Sequence, residues 1–136
     1  MPVESDQELR EILGYETIAV VGCSRTPGKA AHDIPKYMLE HGYEIVPVNP
    51  NAEEIFGRPA SDSLEAVEEA VELVNVFRPS EEASAIVASA SEREDVKAIW
   101  LQLGIRDDEA GEAAEAAGKQ FVQDRCLKVE HRRLRH

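Results

Sequence analysis

An eight-residue loop between an apolar run and a helical pattern holds the residue types best suited to chemistry. It reads Gly22-Cys23-Ser24-Arg25-Thr26-Pro27-Gly28-Lys29. Ser24 supplies a hydroxyl group, and Arg25 and Lys29 supply two cations. Main-chain N–H groups at the start of a helix, together with the helix dipole, favour a bound phosphate. The residues alone support a pyrophosphate site and a plain strand-to-helix turn with solvated charges equally well.

The loop matches neither of the two common phosphate-binding fingerprints. Ser24 stands where a dinucleotide-binding GxGxxG loop has its second glycine, and no Gly-Lys-Ser/Thr sequence closes a Walker A loop. The next apolar run ends in Val48-Asn49-Pro50, without the Asp or Glu that binds the ribose 2′-hydroxyl of NAD. An NAD(P)-dependent enzyme is therefore disfavoured, and it stays open as an alternative.

The loop belongs to a series of alternating strand and helix patterns. Short apolar runs that are rich in β-branched residues predict strands covered on both faces, as in a parallel sheet. The predicted strands are residues 17–21, 43–48, 73–77, 97–102 and 120–123. Helical patterns precede the first strand and occupy the segments between the others, including a short helix over 63–70.

This series predicts a Rossmann-like α/β fold. Right-handed crossovers place the five strands in one doubly wound parallel sheet with helices on both faces. We expect the strand order 3-2-1-4-5. We also expect one domain over residues 1–136, with an N-terminal helix in residues 1–14 and a basic tail in residues 124–136.

Ligands of such a sheet bind beyond the carboxyl ends of its strands, near the point where the strand order reverses. Polar, glycine and proline residues follow the apolar runs at these ends. The residues expected there are Gly22, Cys23, Ser24 and Arg25, then Val48, Asn49 and Pro50, then Phe77, Arg78 and Pro79, then Gln102, Leu103 and Gly104, and finally Asp124, Arg125 and Cys126. Arg78 and Gln102 stand out because each follows an apolar run directly.

Several ordered segments resemble the small CoA-binding domain family. These are the stand-alone relatives of the CoA-binding domain in the succinyl-CoA synthetase α subunit and in NDP-forming acyl-CoA synthetases. The resemblance extends over residues 13–134. It is carried by residues 19–24, 41–50, 76–79, 100–105, 124–126 and 129–134.

The resemblance implies that coenzyme A lies across the strand ends. It places Gly22, Cys23, Ser24 and Arg25 at the phosphates, with Lys29 as a further cation. Val48, Asn49 and Pro50 would flank the nucleotide, and Phe77, Arg78 and Pro79 would line the same groove. Leu101 and Gln102 would lie near the pantetheine. Because CoA is anionic and the chain carries a net charge of −12, Arg25, Lys29 and Arg78 must gather near the ligand.

The sequence favours a binding module over an enzyme. The larger synthetases carry their phosphohistidine and their nucleotide-binding site on further domains, for which 136 residues leave no room. His32, His41 and His131 have no carboxylate at motif spacing, so we assign no catalytic residue. We expect a non-catalytic carrier, sensor or regulatory protein for CoA or acyl-CoA. The alternatives are a CoA-binding subunit with a synthetase partner, a homo-oligomer, and an interaction module with an empty groove.

The charge distribution excludes some partners. With 15 basic and 27 acidic residues, the chain would repel nucleic acid and anionic membranes. Its apolar runs are too short to span a membrane, and no secretory signal precedes them, so we expect a cytoplasmic protein. An acidic, lysine-poor chain suits a salt-rich, halophilic cytoplasm. Residues 124–136, with a net charge of +3, form either a solvated helix or a latch over the ligand.

A few remaining residues have mainly structural interpretations. Trp100 is predicted to be a core aromatic residue, and Asp124 an ion-pair partner or a loop anchor. Cys23 and Cys126, 103 positions apart, lack zinc-binding spacing, so no metal site is expected. Two inert free thiols are the favoured reading. The alternative is a thiol activated at the strand ends that forms a mixed disulfide with CoA under oxidation.

Overall fold

The computed structural model describes residues 1–135, so His136, the last residue of the predicted tail, lies outside the described part. Strands and helices alternate along the chain. In order they are α1 (Asp6–Ile12), β1 (Thr17–Val21), α2 (Ala30–Glu40), β2 (Glu44–Val48), β3 (Glu54–Ile55), β4 (Arg58–Pro59), a 3₁₀ turn (Leu64–Ala66), β5 (Leu73–Val76), α3 (Ser80–Glu92), β6 (Ala98–Leu101), α4 (Asp108–Ala116), β7 (Gln120–Val122) and α5 (Leu127–Leu134).

The main sheet has five parallel strands in the order β2-β1-β5-β6-β7, with helices on both faces. The predicted Rossmann-like α/β fold is therefore confirmed. The predicted strand order is wrong, because the third main strand, β5, pairs with β1 rather than with β2. Ile18 lies opposite Leu73 and Val21 lies opposite Val76. The order in sequence terms is thus 2-1-3-4-5.

The outer edge of β2 explains this difference. Pro47 has no N–H group, so an added strand at this edge would lose a hydrogen bond there. The edge is instead covered by the segment that follows. Ser61 donates its N–H to the Pro47 carbonyl (3.0 Å), and the Arg58 Nη1 donates to the Ile45 carbonyl (3.0 Å). The short antiparallel pair β3–β4 belongs to this cover.

Apolar side chains from alternate strand positions form a core on each face of the sheet. On one face, α1, α2 and α5 contribute Leu9, Ile12, Met38 and Leu127 to the packing on strand residues such as Ile18 and Trp100. On the other face, α3 and α4 contribute the small residues Ala83, Val87, Ala90, Ala110 and Ala114. Because α2 and α3 leave β1 and β5 toward opposite faces, a crevice opens between the carboxyl ends of these two strands.

The basic tail forms a packed helix. Along α5, Leu127 enters the core and Glu130 is buried. Glu130 forms ion pairs with Arg125 (3.1 Å) and Arg133 (2.7 Å), and Arg133 also pairs with Asp6 of the segment that starts α1 (2.9 Å). Arg125 and Arg133 are therefore directed to acidic groups of the chain itself.

The helix predicted over residues 63–70 is reduced to the 3₁₀ turn Leu64–Ala66. The guanidinium of Arg93 donates to the carbonyl oxygens of Leu64 (3.0 Å), Val67 (3.1 Å) and Glu69 (3.1 Å). These carbonyl groups are thus satisfied by a side chain, so the segment does not need helical hydrogen bonds. Within residues 1–135, no helix is long and apolar enough to cross a membrane.

Candidate functional site

The crevice at the ends of β1, β2 and β5 forms a groove of about 400 Å³. Of the predicted site residues, Gly22, Val48, Asn49, Pro50 and Arg78 line it. The other lining residues are Val21, Asn51, Asp62, Ser63, Leu64, Glu65, Glu82, Ala85, Ile86 and Ser89. The groove lies at the point where the strand order reverses, which is where ligands of open α/β sheets bind.

Gly22 allows the chain to turn sharply at the end of β1. Its φ is +89°, a conformation that side chains disfavour, and its N–H donates to the Val48 carbonyl (2.9 Å). A Cβ at this position would lie 2.9 Å from Cδ of Arg78. The glycine therefore serves two purposes: it permits the turn, and it lets the aliphatic part of Arg78 lie against the backbone.

Arg78 is paired within the groove. Its Nε and Nη2 donate to the two carboxylate oxygens of Glu82, in the first turn of α3, at 3.2 and 2.8 Å. Both side chains are about half exposed, at 47% and 50%. The hydrogen bond from Arg78 lowers the pKa of the Glu82 carboxyl below its usual value. The predicted phosphate partner therefore already has an anion within the protein.

Asn49 connects the two strand-end loops. Its Nδ2 donates to the Cys23 carbonyl (2.8 Å), and its Oδ1 accepts from the N–H of Asn51 (2.8 Å). These contacts give Asn49 a positioning role for the groove wall.

The start of the loop formed by residues 22–29 is held by internal hydrogen bonds. Pro35, in the second turn of α2, has no N–H, so the Ala31 carbonyl lacks its helical donor. The N–H of Ser24 fills that position at 2.9 Å. The Ser24 Oγ in turn accepts from the N–H of Thr26 (3.0 Å). Hydrogen bonds between residues that are close together in the chain thus fix the shape of the loop.

The end of this loop leaves donors available. The N–H of Gly28 is taken by the Asp33 carboxylate (3.1 Å), which lowers the pKa of that carboxyl. Within residues 1–135, the main-chain N–H groups of Arg25 and Ala30 have no acceptor. The side chains of Arg25 and Lys29 are exposed, and in the same described part of the chain neither forms an ion pair. Two cations and free N–H groups therefore meet at the start of α2.

A model for the family described as CoA binding domain matches residues 16–132. The chain belongs to the CoA-binding domain family. YneT of Bacillus subtilis (strain 168), described as an uncharacterized protein, is 38% identical over 128 residues, 93% of this chain and 94% of YneT. The structure of a hypothetical protein from Pyrococcus horikoshii OT3 has a TM-score of 0.91 at 36% identity, and the match covers 98% of this chain and 96% of that one.

The family also links this CoA-binding domain to acyl-CoA synthetases, which confirms the resemblance identified from sequence. An ADP-forming acetate–CoA ligase of Methanocaldococcus jannaschii is 33% identical over 75 residues, or 55% of this chain. The match covers only 11% of that ligase. The relationship therefore concerns one part of a much longer enzyme.

Several predicted site residues of this CoA-binding domain lie outside the groove lining. Leu101 is fully buried, and Phe77 packs against the core. Gln102 is buried as well, and its Oε1 accepts from the Leu127 N–H (3.3 Å) and from the Asn75 Nδ2 (3.4 Å). It connects β5 and β6 to the start of α5. Further predicted residues outside the lining are Cys23, Ser24, Arg25, Lys29 and Pro79.

The α3 wall of the groove was missed from sequence. Glu82, Ala85, Ile86 and Ser89 follow helical spacing from Arg78 and share one face of α3. A helical projection from Arg78 would have identified them. The opposite wall was missed too: Asp62 precedes the 3₁₀ turn, Glu65 lies in it, and the Ser89 hydroxyl donates to Glu65 across the groove. The lining thus has three carboxylates and one arginine.

The structure also shows the surroundings of the remaining residues singled out from the sequence. Trp100 is fully buried, as predicted, and its Nε1 donates to the Arg125 carbonyl (2.8 Å). Asp124 is both a loop anchor, accepting from the Gly104 N–H (2.7 Å), and an ion-pair partner of Arg106 (3.4 Å). Cys23 is buried, and this burial raises the pKa of its thiol to about 12, which contradicts an activated Cys23. Among residues 1–135, no cluster of three metal-ligating side chains occurs.

Proposed function

We propose that this protein binds coenzyme A or an acyl-CoA and acts as a non-catalytic carrier, sensor or regulatory module, with one domain serving as the whole binding unit. The observation that carries the proposal is that free N–H donors, unpaired cations and a partly apolar groove lie together at the carboxyl ends of the strands. Membership of the CoA-binding domain family supports the same ligand.

The phosphates of CoA would bind at the start of α2. The N–H groups of Arg25 and Ala30 and the helix dipole favour an anion there. Arg25 and Lys29 are free to pair with it, which compensates locally for a chain with a net charge of −12. Ser24 offers a hydroxyl proton while its oxygen holds Thr26. Cys23 would contribute only main-chain atoms, since its side chain faces the core.

The nucleoside would occupy the groove. Val48, Pro50, Leu64 and Ile86 supply apolar lining, and Gly22 keeps the floor open. Its volume lies within the range of about 300–1,000 Å³ that is common for small-molecule sites. Leu101 and Gln102 are better assigned to supporting the strand ends than to direct contact, because both are buried. Phe77 and Pro79 flank Arg78 and hold the turn into α3.

A second candidate is a CoA-binding subunit that works with a separate synthetase chain. The observation that favours it is the match to 75 residues of an ADP-forming acetate–CoA ligase. Co-purification of this chain with a ligase subunit, and CoA-dependent acyl transfer by the mixture alone, would support this candidate over a carrier.

Thermal unfolding with added ligand tests the proposal. CoA and acetyl-CoA should raise the unfolding temperature in a concentration-dependent manner, whereas NAD⁺ and ATP should do so much less, because only a ligand of the native state stabilises it. The combined Arg25→Ala and Lys29→Ala variant should lose most of the CoA effect. Lys36→Ala, which removes an exposed cation from within α2, is the control. Stabilisation by NAD⁺ alone, or by none of these ligands, would contradict the proposal.

A further inference from the structure

We propose that Glu82 competes for Arg78 with the 3′-phosphate on the ribose of the CoA nucleoside and thereby sets the affinity of the groove. The inference rests on the proposed function, since it concerns the same groove and the same CoA ligand. It assigns a role to a residue that neither the sequence motifs nor the family match single out.

The geometry shows that Glu82 occupies the anion-binding face of Arg78. Both carboxylate oxygens are engaged, at 3.2 Å from Nε and at 2.8 Å from Nη2. A bidentate arrangement of this kind is the one that a guanidinium also offers to phosphate. A phosphate that approaches Arg78 must therefore displace the Glu82 carboxylate or share the guanidinium with it.

The surroundings strengthen the competition. Glu65 and Asp62 line the same groove, so with Glu82 in place the lining has three carboxylates against one guanidinium. An anionic ligand consequently meets a site of net negative charge. Neutralising Glu82 removes one like charge and frees the only arginine among the lining residues in the described part of the chain.

Arg78 remains at the groove when Glu82 is neutralised. Its Cδ and Cγ lie against Gly22, at 2.9 and 3.3 Å from the position of a Cβ there. The aliphatic stem is therefore positioned by the backbone rather than by Glu82. Loss of the carboxylate should release the guanidinium toward a ligand without moving the stem.

Calorimetric titration with CoA at low ionic strength tests the inference. Glu82→Gln keeps the size of the side chain and should tighten CoA binding about two- to five-fold, the range of an exposed ion pair. Glu81→Gln removes the same charge from the neighbouring, exposed position and should change the affinity less than two-fold, about the error of such a comparison. In an Arg78→Ala background, the gain from Glu82→Gln should fall to that of Glu81→Gln.

The outcomes separate the two proposals. Equal effects of Glu82→Gln and Glu81→Gln, or weaker binding by Glu82→Gln, would overturn the competitor role while CoA binding by the unmodified protein upholds the proposed function. If the unmodified protein keeps its native circular dichroism but binds no CoA, the proposed function itself fails, and the inference fails with it.

Discussion

Asn49 joins the loops after β1 and β2 through a 2.8 Å hydrogen bond from its Nδ2 to the carbonyl oxygen of Cys23. Its other amide atom accepts from the N–H of Asn51, so a single side chain fixes both loops. The wall of the groove therefore depends on a polar contact between two strand ends that are 26 positions apart in the chain.

Replacing Asn49 should loosen this wall. Asn49→Ala leaves the Cys23 carbonyl and the Asn51 N–H without their partner, which should cost about 1–3 kcal/mol of folding free energy. Urea denaturation measures the loss, and CoA affinity should fall as well. Asn51→Ala, which leaves both hydrogen bonds in place, is the control. Equal stability of the two variants would contradict the positioning role.

Comparison of two glycines with similar backbone conformations separates the cost of backbone strain from the cost of a steric contact. Gly22 has a φ of +89° and Gly28 a φ of +95°, but only at Gly22 would a Cβ meet another group, Cδ of Arg78 at 2.9 Å. Gly28→Ala should cost about 1 kcal/mol, and Gly22→Ala should cost more and should also weaken CoA binding. Chemical denaturation and ligand titration of both variants test this. A larger loss at Gly28 would refute it.

The two cysteines should react differently with an alkylating reagent. Cys23 is buried and burial raises the pKa of its thiol to about 12, so almost no thiolate forms near neutral pH. Cys126 is partly exposed. Mass spectrometry after brief treatment of the native protein with iodoacetamide should show modification at Cys126 and none at Cys23. Modification of Cys23 at a comparable rate would show that the core opens at this position.

Lowering the pH should weaken the contacts of Asp95, which holds the Arg93 side chain that binds the Leu64 carbonyl in the groove wall. Its carboxylate accepts from Arg93 (2.9 Å from Nη2) and from the Val71 N–H (2.8 Å), and the Arg93 hydrogen bond contributes most to lowering its pKa. Because its pKa is lower in the folded protein than in the unfolded chain, the ionised carboxylate stabilises the fold at pH values above the unfolded pKa, near 3.9. This stabilisation is lost as the pH falls through the folded pKa.

Urea midpoints measured from pH 7 down to pH 3 test this sign. The Asp95→Asn variant should be less stable than the parent protein at pH 7 and should lose less stability on acidification. Glu94→Gln, at the neighbouring exposed position, should follow the parent protein. An identical acid dependence of all three proteins would show that Asp95 contributes nothing to this pH effect.

Salt should stabilise the protein. With 27 acidic and 15 basic residues, self-repulsion within the fold is reduced as added ions shorten the screening length from about 10 Å at 0.1 M to about 3 Å at 1 M. The thermal unfolding temperature should rise between 0.05 M and 1 M KCl. A temperature that stays constant or falls over this range would count against adaptation to a salt-rich cytoplasm.

The sequence pattern predicts the strands of the main sheet well, because apolar β-branched runs and glycine turns are local signals. Strand order depends on which edge accepts a partner, and periodicity does not encode that choice. Pro47 was the relevant clue: it lacks the N–H that a third strand at this edge would require. Its effect becomes visible only once its carbonyl is found paired with Ser61.

The lining of the candidate site was predicted only in part, because the local sequence pattern does not reveal how side chains are directed. Of the residues selected by their position after an apolar run, Gly22, Asn49 and Arg78 line the groove. The same rule selects Gln102, whose side chain turns inward to hold Leu127, because strand-end position does not reveal side-chain direction. The position of Glu82 could have been predicted from the sequence, since it lies four residues after Arg78 at the start of a helix.

We propose that a CoA phosphate binds at the start of α2 and that the nucleoside lies in the adjoining groove. Amide chemical-shift mapping during a CoA titration of the ¹⁵N-labelled protein locates both parts of the ligand. The largest shifts are expected at Gly22, Arg25, Ala30 and Asn49, with Ala114 in α4 unchanged. Shifts confined to other parts of the chain, or none at millimolar CoA, would contradict it.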